Sequence, residues 1–242
     1  MEFWSFIAPV VAVLFLSALS RGLIGFGNAL VAMPLLALFC PIQIASPLVG
    51  AANLTGILVI LIGNWRSVNL KAAWRLILAC LVGIPIGILF LKQADERIVR
   101  IVLGAILIGY GLYNLIAPRL PYLRSEALSW PFGLASGILG GAFNSNGPPI
   151  VIYGSLRRWP PESFRATLQS VFLPTNLMVI ASHALAGLWT RNVLTLYAYS
   201  LPPMLLATLI GIRFGKRIPK EQFHKIVNGF LVAMGVLLIV RA

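Results

Sequence analysis

The sequence predicts an all-α integral membrane protein of about eight transmembrane helices, built as two four-helix repeats with a broken first helix in each. Three observations carry that prediction. Only 10% of the 242 residues are charged and 59% are hydrophobic, with a mean hydropathy of +0.92, whereas a soluble domain carries about 25% charged residues. The apolar residues are gathered into runs, and runs of roughly 17–25 apolar residues read as membrane-spanning helices. Two glycine-, asparagine- and proline-rich interruptions break the early run of each half at matching places.

Taken in order, the first apolar run covers 3–39 and is interrupted by "SRGLIGFGN" at 20–28. The second covers 47–63, the third 72–91 and the fourth 101–117, followed by a polar link over 118–129. The order then repeats as 130–156, 166–188, 193–214 and 226–240. Short strands of alternating polarity, the mark of a membrane β-barrel, are not read anywhere in the chain. The start, Met1-Glu2-Phe3-Trp4, lacks the basic residues that precede a signal-peptide core, so the first run is expected to be a retained helix.

The repeat rests on spacing. Trp65 and Trp189 stand 124 positions apart (189 − 65), and at that offset Gly63 meets Gly187, Gly87 meets Gly211, Lys92 meets Lys216 and Gly111 meets Gly235. Earlier in each half the offset is 115, pairing Gly22 with Gly137, Gly25 with Gly140 and Pro34 with Pro149. An insertion near 157–161 absorbs much of the difference. We read one transmembrane domain over 1–242, with repeats over 3–117 and 130–240; duplication of this kind is common in transporters.

Nineteen Lys and Arg against six Asp and Glu give a net charge of +13. In a soluble protein this would suggest nucleic acid. Here the cations sit in the joints between apolar runs, where they set topology and meet headgroups of the lipid bilayer, so no nucleic-acid partner is expected. Lys92, Arg97 and Arg100, with Lys216, Arg217, Lys220 and Lys225 in the second half, place two basic clusters in the cytoplasm, with parallel repeats and both termini outside. Arg66, Lys71, Arg119, Arg124 and Arg191 then fall outside, against the bias. Cys40 and Cys80 lack metal-ligand spacing and read as packing residues, with no metal and no cofactor expected.

The chemistry is expected where helices break. An interrupted helix leaves backbone N–H and C=O groups unpaired at membrane depth, which is tolerated only inside protein or beside a water-filled cavity. Half-helix N-termini aim N–H groups and a positive dipole end into that space. The breaks are "GLIGFGNALVAMP" over 22–34 and "GILGGAFNSNGPP" over 137–149. Asn28, Asn144 and Asn146 add amides suited to an oxyanion. The competing reading, close packing through glycine, suits one such stretch better than a matched pair. In the second run of each half, Asn53 and Thr55, and Thr175 and Asn176, are polar at mid-membrane depth and complete the candidate site, although interhelical hydrogen bonding would also account for them.

All six acids fall in termini or loops, and a carboxylate inside the bilayer is the usual cation ligand and proton relay. A cation pump is therefore not expected, and a small anionic substrate fits better. Arg21, beside the first break, is the nearest cationic candidate, although a helix-end arginine ordinarily snorkels to the interface, and that is how we read it. His183 is the one titratable group expected to lie deep; it could carry a coupling proton, and its ordinary role would be structural. Gln169 lies on the same segment.

A membrane scaffold or assembly factor would not need paired broken helices. An intramembrane serine protease would pair Ser136, in "LASG", with His183, but the first glycine of a Gly-x-Ser-Gly setting is missing. A neutral-solute or amino-acid permease on the same architecture is the other alternative.

The motifs "RGLIGFGNALVAMP" and "GGAFNSNGPPIVIYG", the latter followed by a short basic loop and "FRATLQSVF", together with length and duplication, resemble the sulfite exporter TauE/SafE family over nearly the whole chain. The resemblance implies an inner (plasma) membrane permease for small anions such as sulfite, sulfonates or related organic acids. It carries over the glycine-proline segments as substrate-binding, on Gly25, Gly27, Gly140, Gly141, Gly147, Pro148 and Pro149. A homo-oligomer is compatible with it. Transport, not catalysis, is the activity expected.

Overall fold

The computed structural model describes residues 2–24, 28–64, 70–116, 122–123, 125–159, 161–215 and 220–242. These form ten α-helices: α1 (Glu2–Ile24), α2 (Asn28–Leu36), α3 (Ile42–Asn64), α4 (Leu70–Gln93), α5 (Glu96–Ile116), α6 (Ser129–Phe143), α7 (Gly147–Leu156), α8 (Pro161–Leu185), α9 (Arg191–Phe214) and α10 (Lys220–Val240). A 3-10 turn, Glu126–Leu128, precedes α6. Six of the ten, α1, α3, α4, α5, α8 and α9, are long and apolar enough to cross a membrane by themselves, and α10 is apolar over Lys225–Val240. Among the described residues six helices thus qualify by length, where the sequence predicts about eight crossings. Helices of 15 and 10 residues, as α6 and α7 are, fall short of the roughly 20 a single span needs.

Both expected breaks separate helices. In the second half, α6 stops because Asn144 adopts the left-handed conformation (φ 54, ψ 19). The Asn144 N–H then donates to Gly140 O at 2.9 Å and the Ser145 N–H to Leu139 O at 3.2 Å, a glycine-type C-cap formed by asparagine. In the first half α1 ends at Ile24 and α2 begins at Asn28. Gly25 and Gly27, with Trp65, Arg66, Arg119, Arg124, Lys216 and Arg217, lie outside the described residues.

Packing follows the small residues. The helix α1 lies along α9, α4 along α6 and α5 along α10. A Cβ added at Gly22 would stand 2.8 Å from Gly211 Cα, and one at Gly211 the same distance from Gly22 Cα. A Cβ at Gly104 would meet Gly235 O at 2.7 Å, and one at Gly111 would meet Asn228 O at 2.9 Å. Close backbone approach of this kind gives membrane helices their attraction where lipid supplies no hydrophobic drive. Cys40 and Cys80 are buried, free thiols, and Cys80 packs against Gly137.

The outer faces stay apolar: Val82, Leu89, Ile116, Leu206 and Leu209 are exposed, as suits a surface solvated by lipid tails. The innermost spanning helix is α3, 72% buried over its span against 33% for α5 and α9. It packs on α2, α8 and α9. Asn53 is its midpoint, so this amide stands at the depth where polar groups cost most.

Candidate functional site

The charged end of α1, the middle of α3 and the starts of α2 and α7 converge. Together with Phe172 and Asn176 from α8 they enclose a small cavity of about 30 Å³, room for a water or two. Its wall includes Arg21, Asn28, Asn53, Asn144, Asn146 and Asn176, with Ile57 and Phe172 as apolar facings. A four-atom oxyanion needs more space than that, so the walls must part to admit one.

Arg21 is the unexpected member. Read from sequence as a snorkelling helix-end arginine, it is instead 3% exposed. Its side chain lies against Gly56 of α3, where an added Cβ would stand 2.7 Å from Nε. It turns inward because a glycine in α3 leaves room for it and Asn53 accepts its Nη1 at 3.1 Å. Its Nε and Nη2 have no hydrogen-bond partner. Three ion pairs occur among the described residues, Arg75–Glu126, Arg100–Glu96 and Arg157–Glu126, and none reaches this centre. A buried guanidinium without a counter-charge is expensive, which makes it a candidate for an intramembrane functional site. Gly56→Ala is therefore expected to push the guanidinium off Asn53 and reduce transport at least about tenfold, the loss of a charge-assisted hydrogen bond. The melting temperature should fall as well, because the bond lost is one the empty fold makes, and flux in vesicles beside a melting curve checks both.

The amides form one connected chain. Asn28 Nδ2 donates to Asn53 Oδ1 at 3.2 Å, and Asn53 Nδ2 donates to the Asn144 carbonyl at 3.2 Å. Asn144 Nδ2 donates to Ser46 O and, at 3.0 Å, to Ser46 Oγ. Ser46 Oγ in turn donates to Ala142 O at 3.1 Å. On the α7 side, Asn146 Nδ2 donates to Thr175 Oγ1 at 3.1 Å, and Ser136 Oγ donates to Asn146 O at 2.6 Å.

Half-helix starts contribute less backbone than the sequence suggests. Asn146 caps α7 without a side-chain bond to it, and Pro148 and Pro149 occupy the first turn. Proline has no N–H, so the orphan donors expected of a helix start shrink to those of Asn146 and Gly147. For α2, Ala29 and Leu30 of the first turn border the cavity beside Asn28.

The remaining expected residues fall elsewhere. Thr55 faces α9, 2.6 Å from the Tyr197 hydroxyl, and is not part of the cavity wall. Gly140 backs onto Asn146 and Gly141 onto Ile84; both allow close approach and neither lines the cavity. Pro148 lines the cavity, whereas Pro149 faces an apolar groove between α5 and α6. Thr175 acts through Asn146. His183 is fully buried behind the cavity, its Nε2 lying 3.4 Å from both Ser46 Oγ and Gly141 O. The protease pairing is thereby absent: Ser136 serves Asn146 and His183 serves Ser46. Ser46 and Ser145 escaped the sequence reading. A serine in the otherwise apolar "IASPLVG" was the available signal for Ser46.

Spanning helices around a polar centre that holds a buried cation and no carboxylate define the class: a polytopic membrane permease. Within that class the chain belongs to the sulfite exporter TauE/SafE family, whose model matches residues 10–238. It is similar to the probable sulfite/organosulfonate exporter TauE of Cupriavidus necator, 23% identical over 224 residues that make up 90% of this chain and 88% of that protein. No solved structure matches the chain. The protein is a multi-pass membrane transporter and not an enzyme.

Proposed function

We propose that the protein carries a small sulfur oxyanion, sulfite or an organosulfonate, across the inner (plasma) membrane, with Arg21 as the counter-charge. The observation that carries this reading is the unpaired, buried guanidinium at the cavity. An uncharged solute would leave that charge uncompensated, which is why the neutral-solute alternative is less suited. The name of the Cupriavidus necator relative supports the sulfur chemistry.

In this reading Arg21 binds the anion, while Asn28, Asn53, Asn146 and Asn176 orient it. Asn144 holds the break in place, and the N–H groups of Gly147 and the α2 start complete the shell. The whole chain forms one domain of eight crossings, in which α1 with α2 and α6 with α7 each count as one. Support comes from exchanged pairings: α1 packs on α9 as α6 packs on α4, while α5 pairs with α10 and α3 with α8. Two halves related by a pseudo-two-fold axis would rock about the cavity and open it alternately to each side. His183, linked to Asn144 through Ser46, supports the break structurally.

The test is uptake of labelled sulfite, methanesulfonate, acetate and an uncharged sulfone into vesicles containing the purified protein, with and without a pH gradient. Saturable flux of the sulfur oxyanions above protein-free vesicles is expected, together with exclusion of the sulfone. Equal flux of the sulfone would overturn the anion assignment.

A further inference from the structure

The hydrogen-bond roles around the cavity are forced, and they bear on the charge of the cargo. Arginine only donates, so the Asn53 atom receiving Arg21 Nη1 must be its oxygen. A backbone carbonyl only accepts, so Asn53 must turn its NH₂ to Asn144 O. Both contacts demand one orientation of the Asn53 amide. Asn28 then has no choice but to donate to Asn53 Oδ1, which strands Asn28 Oδ1 as a buried acceptor without a donor. Asn176 Oδ1 is in the same condition. Arg21, on the same cavity wall, holds two unpartnered donors, Nε and Nη2. Arg21 is the one charged side chain among the described residues of the cavity wall, and the neighbouring segment 24–27, Ile-Gly-Phe-Gly, brings no further charge.

We propose that this site selects singly charged oxyanions, sulfonate or hydrogen sulfite, and rejects the doubly charged sulfite and sulfate. The inference rests on the anion reading above and adds the charge state. One guanidinium neutralises one negative charge. A second charge would sit uncompensated in a narrow cavity beside amide oxygens that carry partial negative charge, lowering affinity on the order of 100-fold or more. Hydrogen sulfite also brings one hydrogen that Asn28 Oδ1 can accept, whereas sulfite brings none. The carried species would thus enter with its proton. A flux of total sulfite would follow the protonated fraction without any titrating group on the protein.

The experiment compares methanesulfonate, a monoanion throughout, with sulfite, in vesicles buffered on either side of the second dissociation of sulfite. Sulfate in large excess serves as competitor. Flat methanesulfonate flux, sulfite flux that tracks the hydrogen sulfite fraction, and no inhibition by sulfate are expected. Sulfite flux indifferent to pH, or sulfate competing as well as methanesulfonate does, overturns the charge-state assignment and leaves the anion reading standing. A methanesulfonate flux that falls with pH in parallel with sulfite also overturns it, since the titration would then belong to a protein group such as His183. Absence of flux for both anions at every pH overturns the anion reading itself.

Discussion

Arg21→Met is expected to abolish anion flux while holding or raising the melting temperature of the detergent-solubilised protein. The two effects have one cause. The guanidinium is buried, and two of its nitrogens are without partners, so the empty fold bears the cost of a charge that only a bound anion compensates. Replacing a buried charge with an apolar side chain of similar length is neutral or stabilising by about 1–4 kcal/mol. Loss of a desolvated charge contact to the anion costs about 2–5 kcal/mol, roughly a 30-fold or greater loss of affinity. Asn53 Oδ1 keeps its second donor, Asn28, so the amide chain survives. Arg21→Lys should fall between the two, because a lysine restores the charge without the fork of donors. A variant that transports normally, or one that melts well below wild type, would show Arg21 to be a structural tie.

Asn144→Leu is expected to lose both transport and stability, and the reason separates Asn144 from Asn146. Asn144 occupies the left-handed region, where a leucine is strained by about 1–2 kcal/mol. Its amide also ties the end of α6 to Ser46 of α3, and losing such buried hydrogen bonds costs about 1 kcal/mol each. Gly50 of α3 lies against that amide; a Cβ there would stand 2.8 Å from Asn144 Oδ1. Asn144→Gly keeps the turn free of strain and keeps the carbonyl that Asn53 uses, so it should melt above the leucine variant while still transporting poorly. Asn146→Leu sits at ordinary helical angles (φ −71, ψ −10) and gives up the bond to Thr175; it should fold and fail chiefly in transport. Melting curves beside flux decide the matter, and equal stability of the two would refute the structural role given to Asn144.

The class, the run boundaries and the two breaks were legible in the sequence because they depend on local properties. Hydropathy over a span, glycine and proline within a helix, and the scarcity of acids act on the segment that carries them. Asn28, Asn53, Asn144, Asn146 and Asn176 could be picked out for the same reason: an amide in an apolar run must find a partner. How the second-half broken run is divided was less legible: α6 and α7 split it into pieces of 15 and 10 residues.

What only the tertiary structure decided is direction. Sequence alone placed Arg21 at a helix end, where lipid would draw it outward; a glycine 35 positions later in α3 gives it a seat inside. Thr55 turns to Tyr197, 142 positions away, and Ser46 reaches Ala142 O, 96 away. Such contacts depend on how each helix is rotated against helices from the other half, and hydropathy carries little information about rotation where most faces of a helix are apolar. The double proline shows the same division: its two residues are plain in the sequence, yet only the fold shows that Pro148 lines the cavity while Pro149 faces an apolar groove, and that together they thin the backbone donors at the start of α7.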